Sequence, residues 1–129
     1  MSRLQFIRMA TIKRFEDIKA WQRARDLSKA VYQTSSSGGF AGDFGLKDQF
    51  RRAAVSVMSN IAEGFARKGD RDFARFLDIS RGSSVEVQSI LYVALDAGYI
   101  KKEEFEKLFK MADEVVSMIS GLSSYLRRH

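Results

Sequence analysis

Side chains that could carry out catalysis are scarce in this sequence of 129 residues, which has no cysteine and one histidine, the terminal His129. One imidazole at the chain end excludes a Ser-His-Asp triad and any metal site built from several histidines. The absence of cysteine removes thiolate nucleophiles and thiolate metal ligands. The Glu-x-x-His pairs that hold metals inside some helical bundles are also missing from the sequence. We therefore expect a protein that is not an enzyme and that uses no metal and no cofactor.

Basic residues are the remaining group of side chains that could bind a ligand. The sequence has 22 Lys and Arg and 16 Asp and Glu, which gives a net charge of +6. A guanidinium group binds phosphate oxygens through two parallel N–H donors, so clustered arginines indicate a nucleic acid or an acidic protein as partner. We assign phosphate contacts to Arg52, Arg67, Lys68, Arg71 and Arg75. The last four flank one interhelical turn. The alternative for them is a solvated basic surface that binds no ligand. The alternative for Arg52 is a salt bridge to a neighbouring helix or subunit.

Three more charged residues lie close to these in the chain. Arg51 shares a helix side with apolar residues, so we interpret it as the ion-pair partner of a neighbouring helix or subunit, with a phosphate contact as the alternative. Glu63 and Arg81 have the residue types of general acid/base catalysis. We interpret these two instead as a structural ion pair that joins the second and third helices.

Apolar residues recur at spacings of three and four in four segments, which predicts four amphipathic helices. The helices are expected over residues 15–34, 46–67, 70–97 and 102–126. Residues 35–45, with four glycines and three serines, predict a loop. Asp70 is a suitable N-cap for the third helix and Gly98 a suitable terminator. The fold class is all-α, and short links between the helices favour an antiparallel up-down four-helix bundle.

The second helix has an apolar arc of roughly 220° at 100° per residue, much wider than one core contact requires. This helix is therefore expected to bury a second face, against another helix or another subunit. Candidate oligomer contacts are Trp21, Arg51, Val55, Ala62 and Ala66. In the third helix, Gly82 should cost about 1 kcal/mol relative to alanine. We expect the close approach of a neighbouring helix to compensate for it.

The N-terminal residues 1–13 are basic, and we treat them as an extension that precedes a bundle domain over residues 14–129. Either Met1 or Met9 could be the translation start. The N-terminus lacks the continuous apolar stretch of a signal peptide, and the chain lacks an apolar run long enough to cross a membrane. We therefore expect a cytoplasmic protein with no membrane contact.

Three blocks, at residues 15–22, 44–67 and 76–83, resemble a family of proteins encoded by intervening sequences in bacterial large-subunit ribosomal RNA genes, formerly grouped as a ribosomal protein family. The resemblance extends over residues 14–126. Met58 stands where the family usually has a proline, so a proline-induced bend is not expected here. The resemblance implies four-helix bundles that assemble into barrel-shaped pentamers. The fold is similar to that of accessory proteins of diversity-generating retroelements, which bind a reverse transcriptase and nucleic acid.

These observations lead to one principal functional hypothesis. The protein is expected to form a homo-oligomer, a pentamer by the family resemblance, and to bind RNA or DNA through basic residues of its second and third helices. The alternative is an adaptor that contacts a polymerase-like or other acidic protein and has no direct role with nucleic acid. A third interpretation is a structural remnant of a mobile element without a cellular role. The resemblance carries over no catalytic residue.

Overall fold

A computed structural model of the protein describes residues 12–128. These residues form five α-helices, preceded by a 3₁₀ turn at Phe15–Asp17, and no strand. The helices are α1 (Lys19–Thr34), α2 (Gly38–Gly42), α3 (Phe44–Ala66), α4 (Asp70–Asp96) and α5 (Lys102–Arg128). The all-α prediction is confirmed. Most of the predicted N-terminal extension, both candidate start methionines and His129 lie outside the described residues.

The beginning of α1 differs from the prediction of one helix starting at Phe15. Ile18 has extended backbone angles (φ −75°, ψ 121°) and separates the 3₁₀ turn from α1. The side chain of Ile18 is 2% exposed, so it reaches the core. The break lets Phe15 fold back on Trp21, with their rings edge to face at a centroid distance of 5.0 Å.

The predicted loop at residues 35–45 contains the short helix α2. Phe40 in α2 is fully buried and stacks on Phe50 and Tyr99, with ring centroids 5.2 and 5.6 Å apart. Gly39 permits this approach, because a Cβ there would lie 2.9 Å from the ring of Tyr99. Burial of one aromatic side chain therefore orders a glycine-rich segment that composition alone assigns to a loop.

The helix ends show one expected terminator and two unexpected caps. Gly98 has φ +78°. Two hydrogen bonds close the end of α4, one from the Gly98 N–H to the Leu95 carbonyl and one from the Tyr99 N–H to the Ala94 carbonyl. This is the glycine terminator that the sequence predicts. Asp70 is the first residue of α4 rather than its N-cap, which is Gly69. Asp43 takes the capping role in α3, where its carboxylate accepts the Leu46 N–H at 3.2 Å. Hence α3 begins two residues earlier than expected.

Hydrogen bonds and ion pairs join the long helices in three pairs. Residue numbers rise in one helix as they fall in its partner at these hydrogen-bonded or ion-paired positions: Ser80 with Val57 and Glu86 with Gln49 between α4 and α3, Ser84 with Ala112 and Gln88 with Phe109 between α4 and α5, and Arg23 with Glu114 and Thr34 with Glu104 between α1 and α5. The large side chains that are fully buried come from α1 to α5: Leu27, Val31, Phe40, Phe50, Val57, Ile61, Leu77, Val87, Leu91, Leu108, Val115 and Ile119.

Close helix contact occurs at Gly64 rather than at Gly82. A Cβ on Gly64 would lie 2.7 Å from the Phe76 Cβ, whereas a Cβ on Gly82 would meet no atom within 4 Å. The prediction for Gly82 is therefore wrong within the chain. Its neighbours Ser80 and Ser84 are fully buried and donate hydrogen bonds to carbonyls of α3 and α5, at 2.5 and 3.1 Å. Gly82 points away from both contacts because it lies on the outer side of the same helix.

Candidate nucleic-acid interface

Four basic side chains surround the turn between α3 and α4. Arg67, Lys68, Arg71 and Arg75 are all exposed. The chain reverses there within three residues, because Arg67 is extended after the last turn of α3 and Gly69 adopts φ +97°. We call these four residues the basic end. The structure brings together four of the five residues that the sequence assigns to phosphate contacts.

Two arginines of the basic end are held on one aromatic ring. The guanidinium carbons of Arg67 and Arg75 each lie 4.9 Å from the ring centroid of Phe76, which is largely buried. A cation over an aromatic face gains about 0.5–1 kcal/mol at exposed sites. The ring therefore limits the motion of both arginines and reduces the entropy that they would lose on binding a phosphate.

Acidic residues neutralise the basic end only partly. Glu63 lies 3.4 Å from Arg67 and Asp72 lies 3.7 Å from Arg75, and both pairs are exposed. Exposed pairs within one helix contribute about 0.3–0.5 kcal/mol and exchange readily for other partners. Within residues 12–128, Lys68 and Arg71 form no hydrogen bond and no ion pair. These two side chains are free to contact an anion.

The C-terminal part of α5 reaches the same end of the molecule. Arg127 donates to both carboxylate oxygens of Asp78 on α4 and to the hydroxyl of Ser123. The hydrogen bond from Arg127 lowers the pKa of Asp78, against an opposing effect of partial burial. Asp78 in turn raises the pKa of Arg127. This pair fastens the end of α5 to α4 beside the basic residues.

Arg52 does not belong to the basic end. It precedes Arg67 by 15 residues, a distance of about 22 Å along a helix axis. Its guanidinium group pairs with Asp48 at 2.9 Å, with both side chains well exposed. The five predicted phosphate contacts therefore form one group of four and a separate arginine.

The predicted ion pair between Glu63 and Arg81 is absent. Glu63 contacts Arg67 one turn later in the same helix, and Arg81 is exposed. The register of the helices explains the error, because Ser80 bonds to Val57 and so places residue 81 near residue 57. Glu63 lies six residues further along α3, which is about 9 Å.

Comparison with known proteins matches residues 16–121 to the family model described as "23S rRNA-intervening sequence protein". The chain belongs to this family. The resemblance inferred from the three sequence blocks is thereby confirmed. A crystal structure of a protein of unknown function from the S23 ribosomal protein family of Bacteroides thetaiotaomicron superposes with a TM-score of 0.74 at 18% identity, covering 81% of this chain and 97% of that one. This second likeness concerns the fold alone. No curated protein matches the chain.

Two of the predicted oligomer contacts in this member of the family have partners inside the chain. Arg51 donates to the Ser35 hydroxyl at 2.9 Å, and its guanidinium group lies 4.5 Å from the ring centroid of Tyr32. Arg51 therefore supplies hydrogen-bond donors to the C-terminal end of α1. Neither of the two interpretations from the sequence included this role. Trp21 is half-buried against Phe15 and below the guanidinium of Arg25.

The other predicted oligomer contacts remain accessible on α3. Val55 and Ala66 are exposed and Ala62 is half-buried. The outer side of α4 adds exposed apolar side chains that the sequence analysis did not select, with Ile79 46%, Val85 50% and Val93 51% exposed. The sequence could have indicated them, because these apolar residues lie outside the stripe of α4 that the helical periodicity predicts to be buried.

Neither a group of metal-ligating side chains nor a membrane-crossing helix is found within the described residues. No group of three or more His, Cys, Asp or Glu side chains within residues 12–128 is arranged to hold a metal ion. In the same part of the chain, no helix is both long and apolar enough to cross a membrane.

Proposed function

We propose that this protein is a non-enzymatic, cytoplasmic homo-oligomer that binds RNA or DNA through its basic end. The observation that carries the proposal is the exposure of Arg67, Lys68, Arg71 and Arg75 around one turn, with two of them unpaired within the described residues. The four basic residues exceed the acidic residues beside them in the chain, Glu63, Asp70 and Asp72, by one. An excess of positive charge on an exposed surface suits a polyanion. Each basic residue that contacts a phosphate releases counterions, so affinity should fall steeply with salt.

Charge reversal at the basic end tests this proposal. The variant carries Arg67→Glu, Lys68→Glu and Arg71→Glu. The matched control carries Lys101→Glu, Lys107→Glu and Lys110→Glu, three exposed residues of α5 and the turn before it. Both variants change the net charge equally. Filter binding with structured ribosomal RNA and with duplex DNA measures the affinity of each.

We expect the wild-type protein and the control to bind with micromolar affinity. For three to four phosphate contacts, affinity should fall about 40- to 150-fold between 50 and 200 mM salt. The basic-end variant should lose most of its binding. Absence of wild-type binding at low salt would refute the proposal, and equal loss in both variants would show a response to net charge alone.

The proposed assembly unit is the antiparallel up-down bundle, with the outer sides of α3 and α4 as the contact between subunits. Support comes from the exposed apolar side chains Val55, Ile79, Val85 and Val93. Contiguous exposed apolar surface in a monomer marks an interaction site. The family resemblance makes a pentamer the expected stoichiometry.

The same apolar surface favours a second candidate function, an adaptor for a polymerase-like or other acidic protein. In that case the basic end would meet acidic side chains rather than phosphates. Co-purification from the native host with and without nuclease separates the two. A defined partner protein that survives nuclease treatment, together with no direct binding of nucleic acid, would favour the adaptor.

A further inference from the structure

An aromatic cleft lies at the basic end, between the end of α3, the start of α4 and the last turns of α5. It has a volume of about 260 Å³ and is lined by the rings of Phe65, Phe73 and Tyr125 together with Asp70 and Leu126. Phe65 and Phe73 meet edge to face at a centroid distance of 6.0 Å. Small-molecule sites usually exceed about 300 Å³, so this cleft suits one flat ring system better than a larger ligand.

A basic groove adjoins the aromatic cleft and shares Asp70 and Leu126 with it. The groove has a volume of about 750 Å³ and is lined by three arginines and two aspartates: Arg71, Arg75, Arg127, Asp70 and Asp72. Asp72 pairs with Arg75 at 3.7 Å. Arg127 is engaged by Asp78, whereas Arg71 has no partner within residues 12–128. Aromatic rings and unpaired positive charge therefore occupy neighbouring depressions on one surface.

We propose that the aromatic cleft binds an unpaired base of a single-stranded nucleic acid whose sugar-phosphate backbone follows the basic groove. This inference rests on the proposed function and narrows its ligand from nucleic acid in general to a single strand. Stacking on aromatic side chains requires a base that is free of its duplex neighbours. A paired and stacked base cannot enter a cleft of this size.

Asp70 lies where the aromatic cleft and the basic groove adjoin. Its carboxylate lines both depressions and has no hydrogen-bond or ion-pair partner within the described residues. A carboxylate repels phosphate but accepts hydrogen bonds from the amino or imino groups of a base. The aromatic residues line only the cleft and Arg71 lines only the groove, so the base is assigned to the cleft, within reach of Asp70, and the phosphates to Arg71.

Substitution of Tyr125 tests the inference with a matched control. Tyr125→Leu removes the ring and Tyr125→Phe retains it. Tyr92→Leu removes an exposed ring on α4 that contacts Phe105 outside both depressions. Fluorescence anisotropy measures binding of RNA and DNA single strands of about 12 nucleotides, within the range of known single-strand sites, and of the corresponding duplexes. Circular dichroism melts establish that each variant is folded.

The wild-type protein should bind single strands more tightly than duplexes. Comparison of the RNA strand with the DNA strand shows which of the two nucleic acids it binds more tightly. Tyr125→Leu should weaken single-strand binding about 5- to 150-fold and leave duplex binding unchanged, while Tyr125→Phe and Tyr92→Leu retain wild-type affinity. A strand of abasic residues, which needs no variant, should bind the wild-type protein with a similar loss. Equal binding of duplex, intact strand and abasic strand would overturn this inference and leave the proposed function standing. Absence of all binding at low salt would instead overturn the proposed function.

Discussion

Two glycines show how much the surroundings of one residue matter. Gly64 lies where α3 and α4 touch, and its missing Cβ leaves room for Phe76 and Phe73. Gly82 lies in the middle of α4 with open space beside it. The same change to alanine should therefore act in opposite directions at the two positions.

We expect Gly64→Ala to destabilise the protein by about 1–3 kcal/mol, because the added methyl group overpacks the helix contact. Gly82→Ala should stabilise it by up to about 1 kcal/mol, since alanine has the higher helix propensity. Urea denaturation measures both free energies of unfolding. A loss of stability in Gly82→Ala would contradict the open environment within the chain and would locate a subunit contact at this position.

Asp43 has two roles at the opposite end of the molecule from the basic residues. One carboxylate oxygen caps α3 and the other accepts the Tyr99 hydroxyl at 2.9 Å. The second hydrogen bond raises the pKa of Tyr99. A raised pKa in the folded state means that this contribution to stability is complete below the ordinary tyrosine pKa and is lost as the pH rises through the folded value.

Asp43→Ala should lower the free energy of unfolding by about 0.5–2 kcal/mol, the usual effect of losing an N-cap side chain. It should also return the pKa of Tyr99 toward its ordinary value, which an ultraviolet titration of the phenolate follows. Asp43→Asn serves as the control, because asparagine caps helices well but carries no charge. An unchanged titration of Tyr99 in Asp43→Ala would show that the hydrogen bond is absent in solution.

At the scale of helices, the bond between Asp78 and Arg127 joins α4 to the end of α5. The lowered pKa of Asp78 means that its stabilising effect is present above the ordinary carboxyl pKa and disappears as the pH falls through the lowered one. Because both side chains are substantially exposed, the effect should be smaller than that of the Asp43 cap.

Asp78→Asn should therefore lower Tm modestly at neutral pH, and the difference from the wild type should vanish at a pH well below the ordinary aspartate pKa of about 3.9. Thermal melts between neutral and acidic pH measure this difference. Arg127→Gln, which removes the other partner, should show the same convergence. A difference in Tm that does not change with pH would exclude the ion pair as its cause.

At the scale of the whole molecule, the exposed apolar residues Val85 and Val93 of α4 lie well away from the basic end, and Ile79 lies one turn from Arg75. The basic end collects arginines from the turn between α3 and α4, whereas exposed apolar side chains follow the outer side of α4. One surface can therefore contact a polyanion while the other contacts a further subunit. Assembly is measured by mass and ligand binding by affinity, so each can be tested by its own measurement.

Assembly should depend on Ile79 and Val93. We expect the double variant Ile79→Glu and Val93→Glu to scatter light as a monomer near 14.7 kDa, and the wild type to have a multiple of that mass. Placing charges in a buried apolar contact is costly, which would separate the subunits. Met118→Glu, at an exposed position on α5, is the control. A monomeric wild type would refute the oligomer, and dissociation by the control alone would move the contact to α5.

The sequence by itself determined the features that depend on residues close together in the chain. The period of the apolar residues located the four long helices, and Gly98 marked the end of α4 because only a local backbone angle was involved. Arg67, Lys68, Arg71 and Arg75 are neighbours across one short turn, so their clustering followed from spacing alone. The three sequence blocks likewise sufficed to recognise the family.

Only the tertiary structure decided the contacts between residues far apart in the chain. In the register of α3 and α4, Arg81 lies near Val57, several residues away from Glu63 along α3. The sequence of either helix alone does not show this offset. Phe40 orders a glycine-rich segment because Phe50 and Tyr99 meet it in space. Tyr125 enters the aromatic cleft because the packing of α5 brings its end to the turn between α3 and α4. Periodicity shows which side of a helix is buried, but not the axial offset of the helix relative to its neighbour. This offset decides which side chains meet at the site.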